Sequence, residues 1–307
     1  MLQKDLLTLA DLEPKDVEDL LDLAVDVKAD PKKYKKTLKR KVLGMVFQKS
    51  STRTRVSFEV GIYQLGGTGL FLSSADLQLG RGETLADTAR VLSRYVDGIM
   101  ARVYGHADIE ELAKHADIPV INGLSDKYHP CQGLADYLTM KEHVGLRGKR
   151  LCYIGDANNV YNSLVYGGIK LGVHVTLAAP KQYQPTEEFI NAARPLAEPA
   201  GVRLEVTEDP EKAAAGADII YTDVWASMGQ EAERAERLKN LAPYQVNANI
   251  MKVAGPQARF MHCLPAHRGE EVTDEVADSK ASIIFDQAEN RLHAQKALMI
   301  RLMGRDK

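Results

Sequence analysis

Short apolar runs alternate along this chain with helix-like segments, and that rhythm restricts the fold more than any other feature. Strands are expected at 42–48, 68–73, 98–104 and 119–124, with helices near 54–65, 84–96, 107–116 and 131–143. A helix precedes them: Pro14 suits a helix start, and Val17, Leu20, Leu21, Ala24 and Val27 recur at helical spacing. After the polar break Gly145-Leu146-Arg147-Gly148-Lys149 the rhythm restarts. Strands are expected at 150–155, 173–179, 202–206, 218–224, 259–263 and 282–285, with helices near 158–171, 186–197 and 246–253. Pro180, Pro185, Pro195 and Pro199 punctuate the connections of this half, and a last helix is expected over 291–303, beginning at Arg291. Strand–helix alternation of this kind builds parallel sheets. The chain therefore reads as α/β, in two domains, each with a central parallel sheet flanked by helices and with a boundary near residue 145.

Its 307 residues suffice for two ordinary domains, and 45% hydrophobic with 27% charged residues describes a soluble protein with ample core. A net charge of −2 supplies no global field for nucleic acid or an anionic membrane, so neither is an expected partner. Lys32, Lys33, Lys35, Lys36, Lys39, Arg40 and Lys41 read as a solvated segment leading into the first strand. Three cysteines, Cys131, Cys152 and Cys263, form no paired framework and no zinc spacing; a reducing cytoplasm and no metal are expected. The N-terminus lacks a signal-peptide pattern, and no apolar run approaches membrane-spanning length.

Ser50-Ser51-Thr52-Arg53-Thr54-Arg55 follows the apolar run Val42 to Phe47 and opens a helix-like segment. In isolation such hydroxyls are as often plain N-caps. Yet free N–H groups, the positive helix end and Arg53 can converge there on one phosphate. Two nucleotide-binding alternatives fail. Gly155-Asp156-Ala157-Asn158-Asn159 lacks the glycine fingerprint of dinucleotide folds, and no P-loop pattern occurs.

Together with His129-Pro130-Cys131-Gln132 and His262-Cys263-Leu264-Pro265, that segment resembles the signature of the carbamoyltransferases, with the motifs in family order over nearly the whole chain. Asp223-Val224-Trp225-Ala226-Ser227-Met228-Gly229 looks like the loop by which family members hold ornithine. The resemblance implies a carbamoyl phosphate-binding domain over 1–145, completed by the C-terminal helix 291–307, and an ornithine-binding domain over 146–290. It implies transfer of the carbamoyl group to the side-chain amine of L-ornithine, giving L-citrulline and phosphate in arginine metabolism, without a cofactor.

The same resemblance distributes the roles. Ser51, Thr52, Arg53 and Thr54 would take the phosphate, with Thr54 shared with the carbonyl oxygen. Arg102 would bridge phosphate and carbonyl, and Arg291 would complete that grip. His129 would donate to the carbonyl oxygen; Gln132 and the Leu264 carbonyl would accept from the carbamoyl NH₂. Asp223 would take the α-ammonium of ornithine, and Asn159, Ser227 and the Met228 N–H its carboxylate. Cys263 would position the amine, because an ordinary thiol (about 8.5) is a weaker base than a lysine-like amine (about 10.4). Gln78, in the loop Asp76 to Glu83, would reach the phosphate of a neighbouring subunit, in a trimer or an assembly of trimers. Cys131 reads as packing, and His267 and Arg268 as loop-stabilising. The segments at Ser51–Thr54, Arg102, His129, Asn159, Asp223 and Cys263 all lie at or just after an expected strand end, where open α/β sheets bind ligands, so one composite site between the domains is expected. Two alternatives stay open: a carbamoyltransferase for another amine, such as putrescine or an acylated ornithine, and a noncatalytic metabolite-binding homologue.

Overall fold

The computed structural model describes residues 4–74, 82–226 and 231–304. The chain packs as two compact units, Met1–Leu138 with Glu289–Lys307, and Thr139–Ala288.

In the first unit, α1 (Pro14–Ala29) and the short α2 (Pro31–Tyr34) precede β1 (Val42–Phe47), α3 (Thr52–Gln64), β2 (Thr68–Ser73), α4 (Leu85–Tyr95), β3 (Gly98–Arg102), α5 (His106–His115), β4 (Val120–Leu124) and α6 (Pro130–His143), whose residues from Thr139 onward fall in the second unit. The four strands are parallel in the order β2-β1-β3-β4. β1 and β3 are central, and Leu43, Met45, Val46, Ile99, Met100 and Ala101 are buried, as both faces of a helix-covered strand must be. The basic segment 32–41 is largely solvated, as expected, apart from buried Leu38.

The second unit contains β5 (Arg150–Ile154), α7 (Asn159–Leu171), β6 (His174–Ala178), α8 (Glu187–Ala197), β7 (Leu204–Thr207), α9 (Pro210–Ala214), β8 (Ile219–Thr222), α10 (Arg234–Leu241), α11 (Ala248–Ala254), β9 (Arg259–His262) and α12 (Asp274–Ala277). Its strands are parallel in the order β7-β6-β5-β8-β9. A core of Ile154, Ile220, Trp225, Leu241, Phe260, Val272 and Val276 lies against them.

Both sheets use one device to align their central strands. Asp97 accepts the Val42 N–H at 2.9 Å and pairs with Lys41 at 2.7 Å. Asp218 accepts the Arg150 N–H at 2.9 Å and pairs with Lys149 at 3.0 Å. In each case an aspartate preceding one strand ties down the lysine-led start of its neighbour.

Three expectations require correction. The run 282–285 is no strand: Ser282 makes an isolated bridge to Phe260, and Ile284 already begins α13 (Ile284–Met303). Ile283 and Ile284 bury against the second unit while Phe285 stays exposed, so a short apolar run that looked extended is a helix entry. Arg291 consequently sits inside this helix rather than at its start. Pro195, expected in a connection, lies within α8 near its end. The short helices α2, α9, α10 and α12 went unread, because so few turns show no resolvable period.

Within the first unit the later part of α13 lies against α3 and β3. A Cβ added at Gly61 would meet Met299 Cε at 3.0 Å, and one at Gly98 would meet Met303 Sδ at 3.0 Å. These glycines let the helix approach closely. No described helix is long and apolar enough to cross a membrane.

Candidate active site

In the first unit, chemistry gathers at the carboxyl ends of β1, β3 and β4. The chain leaves β1 and turns into α3 through Ser51, whose extended backbone makes it the N-cap; its Oγ accepts from the Thr54 N–H at 3.2 Å. The ordinary capping role is therefore real. It leaves the hydroxyl proton of Ser51 available to a ligand. Thr52 is exposed, Arg53 half-buried and Thr54 buried.

Arg102 ends β3 and is 5% exposed, so it is no surface arginine. His129 precedes α6 and is 6% exposed. Burial, then the positive charges of Arg291, Arg102 and Arg53, hold its imidazole well below the usual histidine range. The ring is neutral at pH 7 and can donate one N–H without taking up a proton. Three guanidiniums close enough to act on one buried ring form a strongly positive pocket, which suits a polyanion.

Arg291 is held by a chain of polar contacts. Its Nη1 donates to Gln132 Oε1 at 2.7 Å, and its Nη2 to Thr54 Oγ1 at 3.2 Å. Gln132 in turn donates from Nε2 to Asp136 Oδ1 at 2.8 Å. With the Gln295 amide oxygen facing the guanidinium, it accepts from Arg291 Nη2 at 2.9 Å and Nε at 3.2 Å, while its NH₂ donates to Ser57 Oγ at 2.6 Å. Asp136 and Gln295 are fully buried, and sequence reasoning missed both. The available signal was spacing: each stands four residues after a site residue on the same helix, Gln132 on α6 and Arg291 on α13. Cys131 is buried, points its Sγ at the Asn122 carbonyl (3.4 Å), and burial pushes its thiol up to about 12, which fits packing.

In the second unit, Asp223 follows β8 and Cys263 follows β9. Asp223 Oδ1 accepts from Cys263 Sγ and from the Val224 N–H, each at 2.8 Å. Because the thiol proton is directed at the carboxylate, the sulfur presents only lone pairs elsewhere and can accept, weakly, from an amine N–H. Asn159 is half-buried at the first position of α7. It is Asn158, overlooked in the sequence, that reaches Asp223: its Nδ2 donates to Oδ2 at 2.8 Å.

The turn after β9 is held from behind by buried groups. His262 Nδ1 accepts from the Leu264 N–H at 2.9 Å, so its proton is on Nε2, which meets Glu271 at 3.1 Å. Although Asp223, His262 and Cys263 lie within metal-ligand range of one another, both ring nitrogens of His262 are thereby engaged, which leaves the ring no lone pair for an ion. Leu264 is one of two described non-glycine residues with positive φ (59°), a strained conformation for a leucine. Arg237 anchors the chain after Asp223 by donating to the Trp225 carbonyl, and it pairs with Asp156. Arg268 pairs with Asp274 and Asp278, and His267 donates its N–H to Glu271 at 2.5 Å, so both stabilise the loop. Gln78, Ser227 and Met228 lie outside the described residues.

Comparison with known proteins bears on both units. Residues 4–142 match the aspartate/ornithine carbamoyltransferase carbamoyl-P binding domain, and residues 147–302 the Asp/Orn binding domain. The chain is 58% identical over 304 residues to the ornithine carbamoyltransferase of Thermococcus kodakarensis, covering 98% of this chain and 96% of that one. It is 57% identical over 297 residues to that of Bacillus subtilis, covering 96% and 92%. The solved structure of ornithine carbamoyltransferase from Pyrococcus furiosus superposes with a TM-score of 0.95 at 56% identity, covering 99% of this chain and 98% of that one. With sequence, fold and both domain matches in agreement, the chain belongs to the aspartate/ornithine carbamoyltransferase family.

Proposed function

We propose that this chain is an ornithine carbamoyltransferase, joining carbamoyl phosphate and L-ornithine to give L-citrulline and phosphate. The observation that carries this reading is the close identity to enzymes of that name over nearly the full length of both chains. The site geometry supports it. Arg53, Arg102 and Arg291 around a neutral His129 suit a phosphate beside a carbonyl, and Asp223 with Cys263 suits an ammonium beside a neutral amine. In this reading the carbamoyl phosphate domain spans 1–145 with the C-terminal helix, and the ornithine domain 146–290.

The neutral side-chain amine of ornithine attacks the carbamoyl carbon, forming the N–C bond. Negative charge builds on the carbonyl oxygen and is met by Arg102, the His129 N–H and the Thr54 hydroxyl. Collapse of the tetrahedral intermediate breaks the C–O bond to phosphate, and the departing phosphate takes the amine proton. Ser51, Thr52, Arg53 and Arg291 neutralise that phosphate. Gln132 keeps a second lone pair on Oε1 for the carbamoyl NH₂ beside its bond from Arg291. The Leu264 carbonyl serves the same group. Asp223 takes the α-ammonium, and Asn159, Ser227 and the Met228 N–H the carboxylate. No cofactor or metal enters any of these steps.

We further assign the enzyme to the cytoplasm, which the absence of any disulfide among Cys131, Cys152 and Cys263 supports. It works as a trimer or an assembly of trimers, with Gln78 reaching a neighbour's phosphate. Exposed Leu70 and Phe71 on the edge strand β2, with Val56 and Tyr63 on α3, support a protein-covered face.

The direct test is citrulline formation by purified protein from carbamoyl phosphate and ornithine, beside parallel assays with aspartate, putrescine and N-acetylornithine. Turnover with ornithine alone is expected. Turnover only with another amine would overturn the assignment of the Asp223 loop, and no phosphate release with any amine would point to a noncatalytic homologue.

A further inference from the structure

We propose that Asn158 is a positioning residue of the amino-acid half-site: its amide orients the Asp223 carboxylate toward the substrate ammonium and ties it to the start of α7. The inference rests on the reading of Asp223 given above.

The oxygen of the Asn158 amide is committed to three donors. It accepts from the Val160 N–H at 2.9 Å, the Tyr161 N–H at 3.2 Å and the Tyr153 hydroxyl at 3.2 Å. The amide cannot be reversed, because its NH₂ would then face those donors. The NH₂ is thus aimed at Asp223 Oδ2, 2.8 Å away. The other carboxylate oxygen is held by Cys263 Sγ and the Val224 N–H. A carboxylate has about four lone-pair sites, and the bonds named fill three of them, with the fourth on Oδ2. The carboxylate is therefore fixed from the start of α7, from the end of β9 and from its own backbone.

Capping alone does not require asparagine here, since aspartate and serine cap helices about equally well. What they lack is an N–H donor reaching a neighbouring carboxylate. Among the described residues, the other ionisable groups around Asp223 are Tyr153 on β5, Asp156 after β5 with its partner Arg237 on α10, and His262 and Cys263 at the end of β9. Of these, Asp156 already sits above the usual carboxylate range through burial, despite Arg237. The cation of this group, Arg237, is already paired with Asp156, so a further negative charge at position 158 would compete for it.

The test uses the full-length enzyme with Asn158→Ser and Asn158→Asp, both of which keep the cap. Loss of a hydrogen bond to a charged group predicts that kcat/KM for ornithine falls roughly 10- to 100-fold in Asn158→Ser, while KM for carbamoyl phosphate stays near the wild-type value. In Asn158→Asp two carboxylates face each other, so one binds a proton more readily. The acid limb of the ornithine kcat/KM profile then moves to higher pH by about one unit or more. A merely structural cap would leave that profile in place, and an unmoved profile with wild-type ornithine KM in both variants overturns the inference. Asp223→Asn separates the two levels. If it leaves ornithine KM unchanged, the reading of Asp223 fails; if it raises KM while both Asn158 variants behave as wild type, only the present inference fails. Should neither Asn158 variant fold, Tyr153→Phe decides: it loosens the amide without touching Asp223, and a several-fold rise in ornithine KM alone supports the inference, whereas no change defeats it.

Discussion

His129 is surrounded by the charges of Arg291, Arg102 and Arg53 and is buried, and both facts deny it a proton. Because its folded pKa is depressed, the unfolded chain takes up a proton that the folded one refuses. Its contribution to stability is complete above about pH 6.5 and is lost as pH falls from there toward the folded value, at up to about 1.4 kcal/mol per unit. His106, His174 and His293 are depressed as well, so the informative quantity is a difference. In urea unfolding at several pH values, His129→Gln is expected to lose less stability than wild type between pH 7 and 5. Arg291 has a different weakness. Its guanidinium serves Gln132 and Thr54 from separate nitrogens, which an ammonium cannot imitate. Arg291→Lys keeps the charge yet is expected to lower kcat/KM by about 10²- to 10³-fold, the range for losing one donor to developing negative charge. Steady-state kinetics with carbamoyl phosphate varied would check this.

The start of α3 serves two purposes. Ser51 closes the helix by accepting the Thr54 N–H, and the same turn presents hydroxyls and Arg53 where anions are favoured. Ser51→Ala is expected to cost about 1 kcal/mol of stability and to raise KM for carbamoyl phosphate more than KM for ornithine. Thermal melting with and without carbamoyl phosphate, beside both KM values, separates the two contributions. The long α13 shows how an element can carry a residue to its place without a local signal. Its first turn belongs to the second unit, where Gln287 accepts the His262 N–H at 2.8 Å and donates to the Tyr221 hydroxyl at 3.1 Å. One turn after Gln287, Arg291 is engaged with Gln132 in the first unit. Reading the helix as beginning at Arg291 missed that continuity, since Ser282-Ile283-Ile284-Phe285 has too few residues to distinguish a strand from a helix entry.

For the molecule as a whole, the proposal of sites shared between subunits makes a sharp prediction. Gln78 and Arg102 would then serve one phosphate from two different chains. Subunits bearing Arg102→Ala, dissociated and reassembled with subunits bearing Gln78→Ala, are expected to recover activity above either parent, because some mixed sites receive both wild-type residues. A mixture no more active than its parents would show that each site is built within one chain. The exposed Tyr63, at 77% of its full accessibility, and its apolar neighbours offer a second check. Tyr63→Glu is expected to weaken association, read by sedimentation, by burying a charge in the covered face.

Strand–helix alternation alone was enough to read the α/β class and nearly every strand of this protein, because the strands of covered parallel sheets are continuous apolar runs bounded by breaks. The motif residues were singled out by their resemblance to the carbamoyltransferase signature, since hydroxyls before a helix or an arginine at a strand end are in isolation as often caps and surface groups. What became visible only in three dimensions is the support around them: Asp136 behind Gln132, Gln295 against Arg291, Asn158 under Asp223, and the His262–Glu271 pair holding the turn at Leu264. Asn158 and Asn159 are chemically identical neighbours, and only the entry of the chain into α7 turns the first onto Asp223. A hydrogen bond between residues far apart in the chain depends on where the backbone carries each of them, and local composition holds no record of that.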